Sequence, residues 1–218
     1  MAIDVDRDIL FQDKDNLLGK GGSATTVKGK WRATNEDIAV KIFTLPSGET
    51  YSQAFLYEVA LMSAMPLNIP HLVKFLGYTE SPAPAIVMKF YPNNLKDFLN
   101  KGQAIEMSLK IKIALDIALG METLHGIGII HLDLKPHNIL LDLFPDNTFN
   151  CVICDFGLAS FINDEKNLRT FVSGFKAPNL VGITVRYASP EASYKLHFFQ
   201  SFKDLNSVVV GNRSVWNI

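Results

Sequence analysis

The sequence of 218 residues has little net charge, few cysteines and no long apolar run. Its 21 basic and 22 acidic side chains give a formal net charge of −1, which argues against a nucleic-acid binder, because such proteins normally carry a basic field. No apolar run reaches the ~18 residues that a membrane span requires. Residues 1–15 are rich in aspartate and lack a basic start followed by an apolar core. We therefore expect no cleaved secretory signal and a cytoplasmic location.

Cysteine is limited to Cys151 and Cys154. Two thiolates cannot complete a four-ligand zinc site, and no His-x-x-x-His pattern follows them. If residues 151–154 form a strand, positions three apart point to opposite faces of the sheet. The pattern therefore favours two small strand residues over a redox pair.

The overall composition, with 48% hydrophobic and 20% charged residues, is that of an ordinary globular protein. The length allows one domain or a compact two-lobed one, and no internal repeat or low-complexity segment interrupts it. Short β-like runs dominate up to about Met88; we expect strands over 27–31, 38–43, 72–78 and 85–90. A helix is expected between them over 52–65, with Phe55, Val59 and Met62 on one buried face.

The second half of the sequence is mostly helical in pattern. Residues 91–94, Tyr-Pro-Asn-Asn, are typical of a turn and separate the two parts. A long helix is expected to begin at a Ser108 cap and to end near Gly126.

Two short motifs carry the strongest chemical signal: residues 131–138, His-Leu-Asp-Leu-Lys-Pro-His-Asn, and residues 155–157, Asp-Phe-Gly. An acid, a lysine, an amide and a second acid in this order suit phosphoryl transfer. There, one carboxylate accepts the proton of the attacking hydroxyl while an amide and another carboxylate hold magnesium. The motifs resemble the protein kinase family's catalytic loop, His-Arg-Asp-Leu-x-x-x-x-Asn, and its Asp-Phe-Gly sequence, although Leu132 stands at the arginine position.

The resemblance implies a role for each polar residue of these motifs. Asp133 would accept the hydroxyl proton, and Lys135 would steady the transferring phosphoryl group, in the Asp-x-Lys pattern typical of serine/threonine kinases. Asn138 and Asp155 would bind magnesium through oxygen atoms. Packing rather than chemistry is expected of four further residues: His131, Phe156, Met62 and Phe75.

A glycine-rich stretch resembles the kinase loop that covers the phosphates of ATP. Glycines let the backbone approach phosphate oxygens, although the same sequence also suits an ordinary hairpin turn. Ala24 replaces the third glycine of the family and Thr26 replaces the valine that lies on adenine, so we expect a stiffer loop and weaker nucleotide binding. The implied contacts are Leu18, Gly19, Lys20, Gly21, Gly22, Ser23, Ala24, Thr25 and Thr26.

The same resemblance places Lys41 on the third strand of the family, where its lysine holds the α- and β-phosphates. An isolated strand lysine is usually solvated, but Glu58 follows seventeen positions later on the expected helix and matches the family's ion-pair glutamate. That pair fixes the lysine only when the helix is swung inward.

The resemblance also outlines an adenine pocket. Met88 would be the gatekeeper residue, and the backbone groups of Lys89 and Phe90 would form the hinge that pairs with adenine. Ala39 and Leu140 would sandwich the ring as apolar walls. A core methionine followed by a surface lysine is the simpler alternative at these positions.

Leu132 is a departure with a regulatory consequence. The family's arginine pairs with a phosphorylated activation loop, and without it a phosphate on Ser160, Thr170, Ser173 or Thr184 lacks its bidentate partner. We therefore expect activity that does not depend on loop phosphorylation. Residues 183–191 resemble the end of the activation segment, and together with the strand at 28–31 they suggest the tyrosine-kinase-like group with serine/threonine specificity.

The resemblance covers residues 10–195 well and the remainder poorly. Residues 204–207 offer the Asp and Ser of a helix that the family has after the activation segment, and 216–218 resemble the end of that helix, but their separation is wrong. We expect an incomplete large lobe, whose apolar face a partner could cover.

The expected fold is α+β and two-lobed, with a β-rich N-lobe at about 10–88, a hinge at 89–94 and an incomplete, mainly helical C-lobe over 95–218. The implied activity is magnesium-dependent transfer of the γ-phosphoryl group of ATP to serine or threonine hydroxyls of a protein substrate. Two alternatives stay open: a pseudokinase that binds ATP without turnover, and a truncated product that does not fold alone.

Overall fold

The structure is a computed structural model that describes residues 3–11, 16–45, 52–66 and 68–161. Expectations that fall on other residues lie outside these ranges: those for Thr170, Ser173, Thr184, the segment 183–191 and the stretches 204–207 and 216–218.

Eleven strands and five helical segments occur within the described ranges. The strands are β1 Ile9–Leu10, β2 Leu17–Lys20, β3 Ala24–Trp31, β4 Asp37–Phe43, β5 Phe75–Thr79, β6 Ala85–Lys89, β7 Asn93–Asn94, β8 Ile129–Ile130, β9 Ile139–Leu143, β10 Phe149–Ile153 and β11 Ser160–Phe161. The helices are α1 Val5–Asp8, α2 Gln53–Ala64, α3 Leu95–Leu99 and α4 Met107–Gly126, with a 3₁₀ turn at Pro136–Asn138. The two-lobed α+β architecture is confirmed.

The first lobe is an antiparallel sheet in the order β1-β3-β4-β6-β5, with β2 also paired to β3. Alternation along β4 sends Ile38 and Val40 to an outer apolar cluster and Phe43 to the main core on the α2 side. Lys41 therefore emerges on the face that α2 covers.

The N-terminal segment closes the outer face of this sheet. The Ile3 N–H donates to the Tyr78 carbonyl at 2.7 Å, and Ile9 pairs with Trp31 in β3. Both isoleucines are buried in the outer cluster. Residues 3–10 thus lie across the sheet between β3 and β5.

Helix α2 begins one residue after Ser52, whose hydroxyl accepts the Phe55 N–H at 3.3 Å. This agrees with the helix expected at 52–65, although Val59 is only half-buried and the core face instead includes Tyr57 and Glu58. The strand expected over 72–78 is shorter, because Leu72 makes only an isolated parallel bridge to Ile153.

The second lobe is organised around α4. The expected Ser108 cap is wrong: the helix begins at Met107, because the Glu106 carbonyl already accepts the Lys110 N–H at 3.0 Å. Asp116, buried on α4, accepts the Cys151 N–H at 2.8 Å and the Lys112 ammonium at 2.6 Å. These contacts fix α4 against β10, the strand that leads into residues 155–157.

Three further structural expectations can be compared with the described residues. Cys151 lies in β10 as expected, whereas Cys154 follows the end of that strand; both are free thiols. The expected end of the long helix near Gly126 is confirmed. In the described part of the chain, no helix combines the length and the apolar character needed to cross a bilayer.

Candidate active site

Lys41, Glu58 and Asp155 meet at the interface between the two lobes. The Lys41 ammonium lies 2.7 and 2.8 Å from the two Glu58 oxygens and 2.9 Å from Asp155 Oδ1. Only 3% of the Glu58 side chain is exposed, whereas 45% of the Asp155 side chain is exposed. The buried carboxylate therefore holds the lysine, and the exposed one faces the cleft.

Burial and charge act in opposite directions on these groups. Burial works against the Lys41 ammonium, but the Glu58 and Asp155 carboxylates outweigh it and raise the pKa of Lys41 above its ordinary value. Burial raises the pKa of Glu58 in spite of Lys41, and the Asp155 carboxylate adds to the rise. For Asp155, burial is outweighed by Lys41, so its pKa is lowered. Lys41 thus stays charged at neutral pH.

The backbone at Asp155 directs two side chains to different places. Its φ of +64° lies in the left-handed region, where aspartate is among the more tolerated residues. The Asp155 carboxylate reaches Lys41, while the next residue, Phe156, is fully buried and contacts the His131 ring at a centroid distance of 5.2 Å. Of these two consecutive residues, Asp155 therefore lies in the cleft and Phe156 lies in the core.

Gly157 leaves room beside the polar cluster. A Cβ at this position would lie 3.4 Å from Asp155 Oδ1 and 3.6 Å from both Glu58 Oε2 and Lys41 Nζ. Glycine therefore keeps the surroundings of the three charged groups open.

The catalytic-loop residues form a second polar cluster. Lys135 Nζ lies 2.6 Å from Asp133 Oδ2, and the Asn138 amide nitrogen donates to the same oxygen at 3.0 Å and to the Asp133 carbonyl at 2.9 Å. Because the Asn138 nitrogen faces Asp133, its amide oxygen remains as the atom suited to a cation. The Asn138 carbonyl accepts the Cys154 N–H at 2.9 Å, which ties this loop to the residue before Asp155.

The hydrogen bonds of His131 fix the protonation state of its own ring. Its Nδ1 faces the Asp133 N–H at 3.3 Å, and its Nε2 faces the Cys154 carbonyl at 2.9 Å. An amide N–H can only donate and a carbonyl can only accept, so the ring is neutral with its proton on Nε2. Burial also lowers the pKa of His131 below its ordinary value.

Leu132 joins His131 to Asp133 through a left-handed backbone, with φ of +63°. This conformation costs an L-residue other than glycine about 1–2 kcal/mol. It allows consecutive residues to serve different environments: the His131 ring is buried in the core, while Asp133 turns towards Lys135 and Asn138.

The glycine-rich stretch is the hairpin between β2 and β3. Residues 18–23 are exposed, Thr25 and Thr26 are half-buried, and the Gly21 N–H donates to the Ala24 carbonyl at 2.9 Å. Ala24 lies in β3 opposite Phe43, is 7% exposed and does not need a positive φ, so alanine is accommodated here without backbone strain. A Cβ at Gly19 or Gly22 would meet nothing within 4 Å, so both positions of the hairpin are open.

The residues expected around adenine lie on or directly after the strands β4, β6 and β9. Ala39 is paired with Met88 across β4 and β6, and Leu140 lies on β9. The Lys89 N–H donates to the Lys74 carbonyl at 3.0 Å, so pairing of Lys89 with adenine would use its carbonyl. The ring of Phe90 lies 4.5 Å from the Lys28 ammonium.

Two contacts near the site were not expected from the sequence. The Lys89 ammonium lies 2.7 Å from Asp142 Oδ1 and thereby links β6 to β9. The Tyr57 hydroxyl donates to the Ser160 hydroxyl at 3.2 Å. In each pair the two residues are far apart in the sequence and belong to no common motif, so only the folded structure shows the contact.

Comparison with known proteins identifies the family. The protein kinase domain family matches residues 12–198. A probable serine/threonine-protein kinase of Dictyostelium discoideum is 31% identical over 91% of this chain and 13% of its own length. The probable serine/threonine-protein kinase PBL28 of Arabidopsis thaliana is 36% identical over 72% of this chain and 43% of its own length. The PR5-like receptor kinase of the same plant is 33% identical over 76% of this chain and 25% of its own length.

These matches cover most of the sequence and include both clusters of the site. The chain belongs to the protein kinase domain family. It spans less than half the length of each of the three relatives.

Proposed function

We propose that this chain is a protein kinase domain that transfers the γ-phosphoryl group of ATP to serine or threonine hydroxyls of a protein substrate. The observation that carries the proposal is the joint assembly of Lys41, Glu58 and Asp155 in one cluster with Asp133, Lys135 and Asn138 in another. The Asp-x-Lys pattern of the loop and the similarity to proteins named serine/threonine-protein kinases support serine/threonine specificity.

Lys41 and Glu58 would prepare the phosphate end of the site. Glu58 binds the ammonium through both oxygens and so fixes the direction of a long, otherwise mobile side chain. Because Lys41 keeps its charge, it can bind phosphate oxygens as a fixed cation. The open space at Gly19 and Gly22 lets backbone N–H groups approach the same phosphates.

Asn138 and Asp155 fit a magnesium site, since both offer hard oxygen atoms and the hydrogen bond from Cys154 to Asn138 joins their segments. When bound there, magnesium neutralises charge on the phosphates of ATP.

Asp133 would accept the proton of the attacking hydroxyl. Two hydrogen bonds from Asn138 and the ion pair with Lys135 fix its position, which matters more for a general base than an unusual pKa does. The Lys135 ammonium, beside that carboxylate, would also steady the phosphoryl group as it transfers.

The test compares Asp133→Asn with the unaltered chain. We expect transfer of radiolabelled phosphate to a protein substrate to fall by about 10²–10⁴-fold. Mg-ATP binding, measured as a thermal shift, should be unchanged. Asp146→Asn is the matched control, because Asp146 lies in the exposed turn between β9 and β10 and bonds only locally, to Thr148.

Retained transfer in Asp133→Asn would contradict the proposed role of this residue. A thermal shift without any transfer in the unaltered chain would instead favour the pseudokinase alternative, for which the departures from the family at Ala24 and Leu132 speak. The assembled polar clusters argue against that alternative.

A further inference from the structure

Helix α2 makes a hydrogen bond to the start of the segment that follows Asp-Phe-Gly. The Tyr57 hydroxyl donates to Ser160 Oγ at 3.2 Å, across 103 positions of sequence. The Tyr57 residue is 2% exposed, so its hydroxyl lies where an unsatisfied polar group would be costly. The tyrosine hydroxyl is therefore a specific contact rather than a solvated group.

The other polar and aromatic contacts of α2 reach in a different direction. Phe55 packs edge-to-face on Phe43 of β4 at 5.5 Å and on Tyr78 of β5 at 6.1 Å. Glu58 binds Lys41, which is also on β4. These contacts fix α2 to the N-terminal sheet, whereas the contact of Tyr57 reaches β11.

Tyr57 and Glu58 are consecutive residues, so their side chains leave the helix about 100° apart. The contacts of Phe55 and Glu58 hold one side of α2 against the sheet, and the contact of Tyr57 holds another side. Two contacts on different sides, one to Lys41 and one to Ser160, fix its rotation. The rotation matters because Glu58 must face Lys41 for the ion pair to form.

Ser160 is itself held by the C-terminal lobe. It pairs with Ile130 in the short sheet of β11 and β8. Ile130 is followed by His131, whose ring bonds to the Asp133 N–H and the Cys154 carbonyl. Tyr57 therefore connects α2 to the same frame that carries Asp133 and Asp155.

We propose that Tyr57 and Ser160 are positioning residues for phosphoryl transfer: their hydrogen bond holds α2 in the rotation that lets Glu58 bind Lys41. The effect on turnover rests on the proposed kinase activity. The effect on the helix does not.

The experiment removes each hydroxyl with little other change. Tyr57→Phe keeps the buried ring, and Ser160→Ala keeps the strand. Each is expected to lower transfer at saturating ATP by about two- to tenfold, the range of one net hydrogen bond. Both variants remove the Tyr57–Ser160 hydrogen bond, while Ser160→Ala also removes the bond from Ser160 Oγ to the Phe161 carbonyl at 3.5 Å. The double variant should therefore lose less transfer than the product of the two single losses, because one contact is shared. Ser160→Thr, which keeps a hydroxyl, should retain activity.

Hydrogen exchange gives a readout that does not depend on catalysis. Amides of α2 should exchange faster in Tyr57→Phe and Ser160→Ala, while those of α4 stay unchanged. Thr123→Ala is the control, since its hydroxyl bonds only to the Leu119 carbonyl within α4; it should change neither α2 exchange nor transfer.

The outcomes separate this proposal from the proposed function. If the unaltered chain shows no transfer, the kinase proposal fails, and the exchange comparison still decides whether the hydroxyl pair holds α2. Unchanged α2 exchange in both single variants would overturn the positioning role. So would faster exchange in α2 and α4 alike, which indicates a general loss of stability, or additive losses of transfer in the double variant.

Discussion

Lys41 and Glu58 form a buried ion pair in which one ammonium contacts both oxygens of one carboxylate, at 2.7 and 2.8 Å. The two residues come from different elements, β4 and α2, so the pair exists only when the helix packs on the sheet. In water such a pair would contribute little, but removal of one partner from a buried pair leaves a charge without compensation. Formation of the ion pair therefore depends on the position of α2 relative to β4.

Glu58→Gln is expected to lower phosphoryl transfer at least about tenfold, because Lys41 then keeps only the half-exposed Asp155 as an anionic partner. Stability should fall by about 1–3 kcal/mol, the typical cost of a lost hydrogen bond to a charged group. The measurements are steady-state kinetics with varied ATP and urea unfolding. Glu36→Gln is the matched control in an exposed turn, where Glu36 bonds to Thr34. Equal kinetics for the two variants would contradict the role of the pair.

Gly120 allows α4 to approach the loop before β5 and the end of β10. An added Cβ would lie 2.8 Å from the His71 carbonyl oxygen, a distance that requires the backbone to move, and 2.8 Å from Ile153 Cδ1, whose side chain would also have to shift. Gly120→Ala should therefore destabilise the protein by about 1–3 kcal/mol, measured by urea unfolding. Gly126→Ala is the control, because a Cβ there meets nothing within 4 Å. A Gly120→Ala variant as stable as the control would show that this approach is not tight.

The sequence could predict those parts of the site in which chemistry and spacing are local or shared with the family. The catalytic loop is eight consecutive residues, and Glu58 lies on a helix that was expected over 52–65 and is observed at Gln53–Ala64. The structure brings Lys41 and Glu58 together as the resemblance implies, whereas the contact of Lys41 with Asp155 was not predicted. The strand pattern also located β3, β4 and β6 to within a few residues.

What could not be predicted depends on contacts between distant segments. Residues 3–10 are rich in charge, yet they cover the sheet because Ile3 and Ile9 meet the outer cluster. Asp116 is a charged residue in the long helix, yet it is buried and accepts the Cys151 N–H from a distant strand. The Tyr57–Ser160 pair spans the two lobes, and no local pattern signals it.

His131 gives the stability of the protein a defined pH dependence. Burial lowers its folded pKa, and the hydrogen bonds on both nitrogens require the neutral ring. As the pH falls through the ordinary value of 6.5, the unfolded chain takes up a proton that the folded protein does not. Stability is therefore present above pH 6.5 and falls below it, by at most about 1.4 kcal/mol per pH unit for one proton.

The measurement compares urea unfolding at pH 7.5 and 5.5. His131→Asn should be less stable than the unaltered chain at the higher pH, but its stability should change less between the two. His125→Gln, at the exposed end of α4, should keep the slope of the unaltered chain. The same slope in His131→Asn would show that His131 does not cause the loss.

Leu132 leads to the prediction that phosphorylation of the activation loop is not required for activity. Its side chain has no guanidinium to pair with a phosphate, and the turn from His131 to Asp133 is already made by its left-handed backbone, with φ of +63°. His131, Lys135 and Asn138, which all belong to the same loop as Asp133, make contacts that hold it in place. Phosphatase treatment should therefore change transfer by less than about twofold. Asp133→Asn, purified and treated in the same way, measures any contaminating kinase, and a large loss specific to the dephosphorylated unaltered chain would refute the prediction.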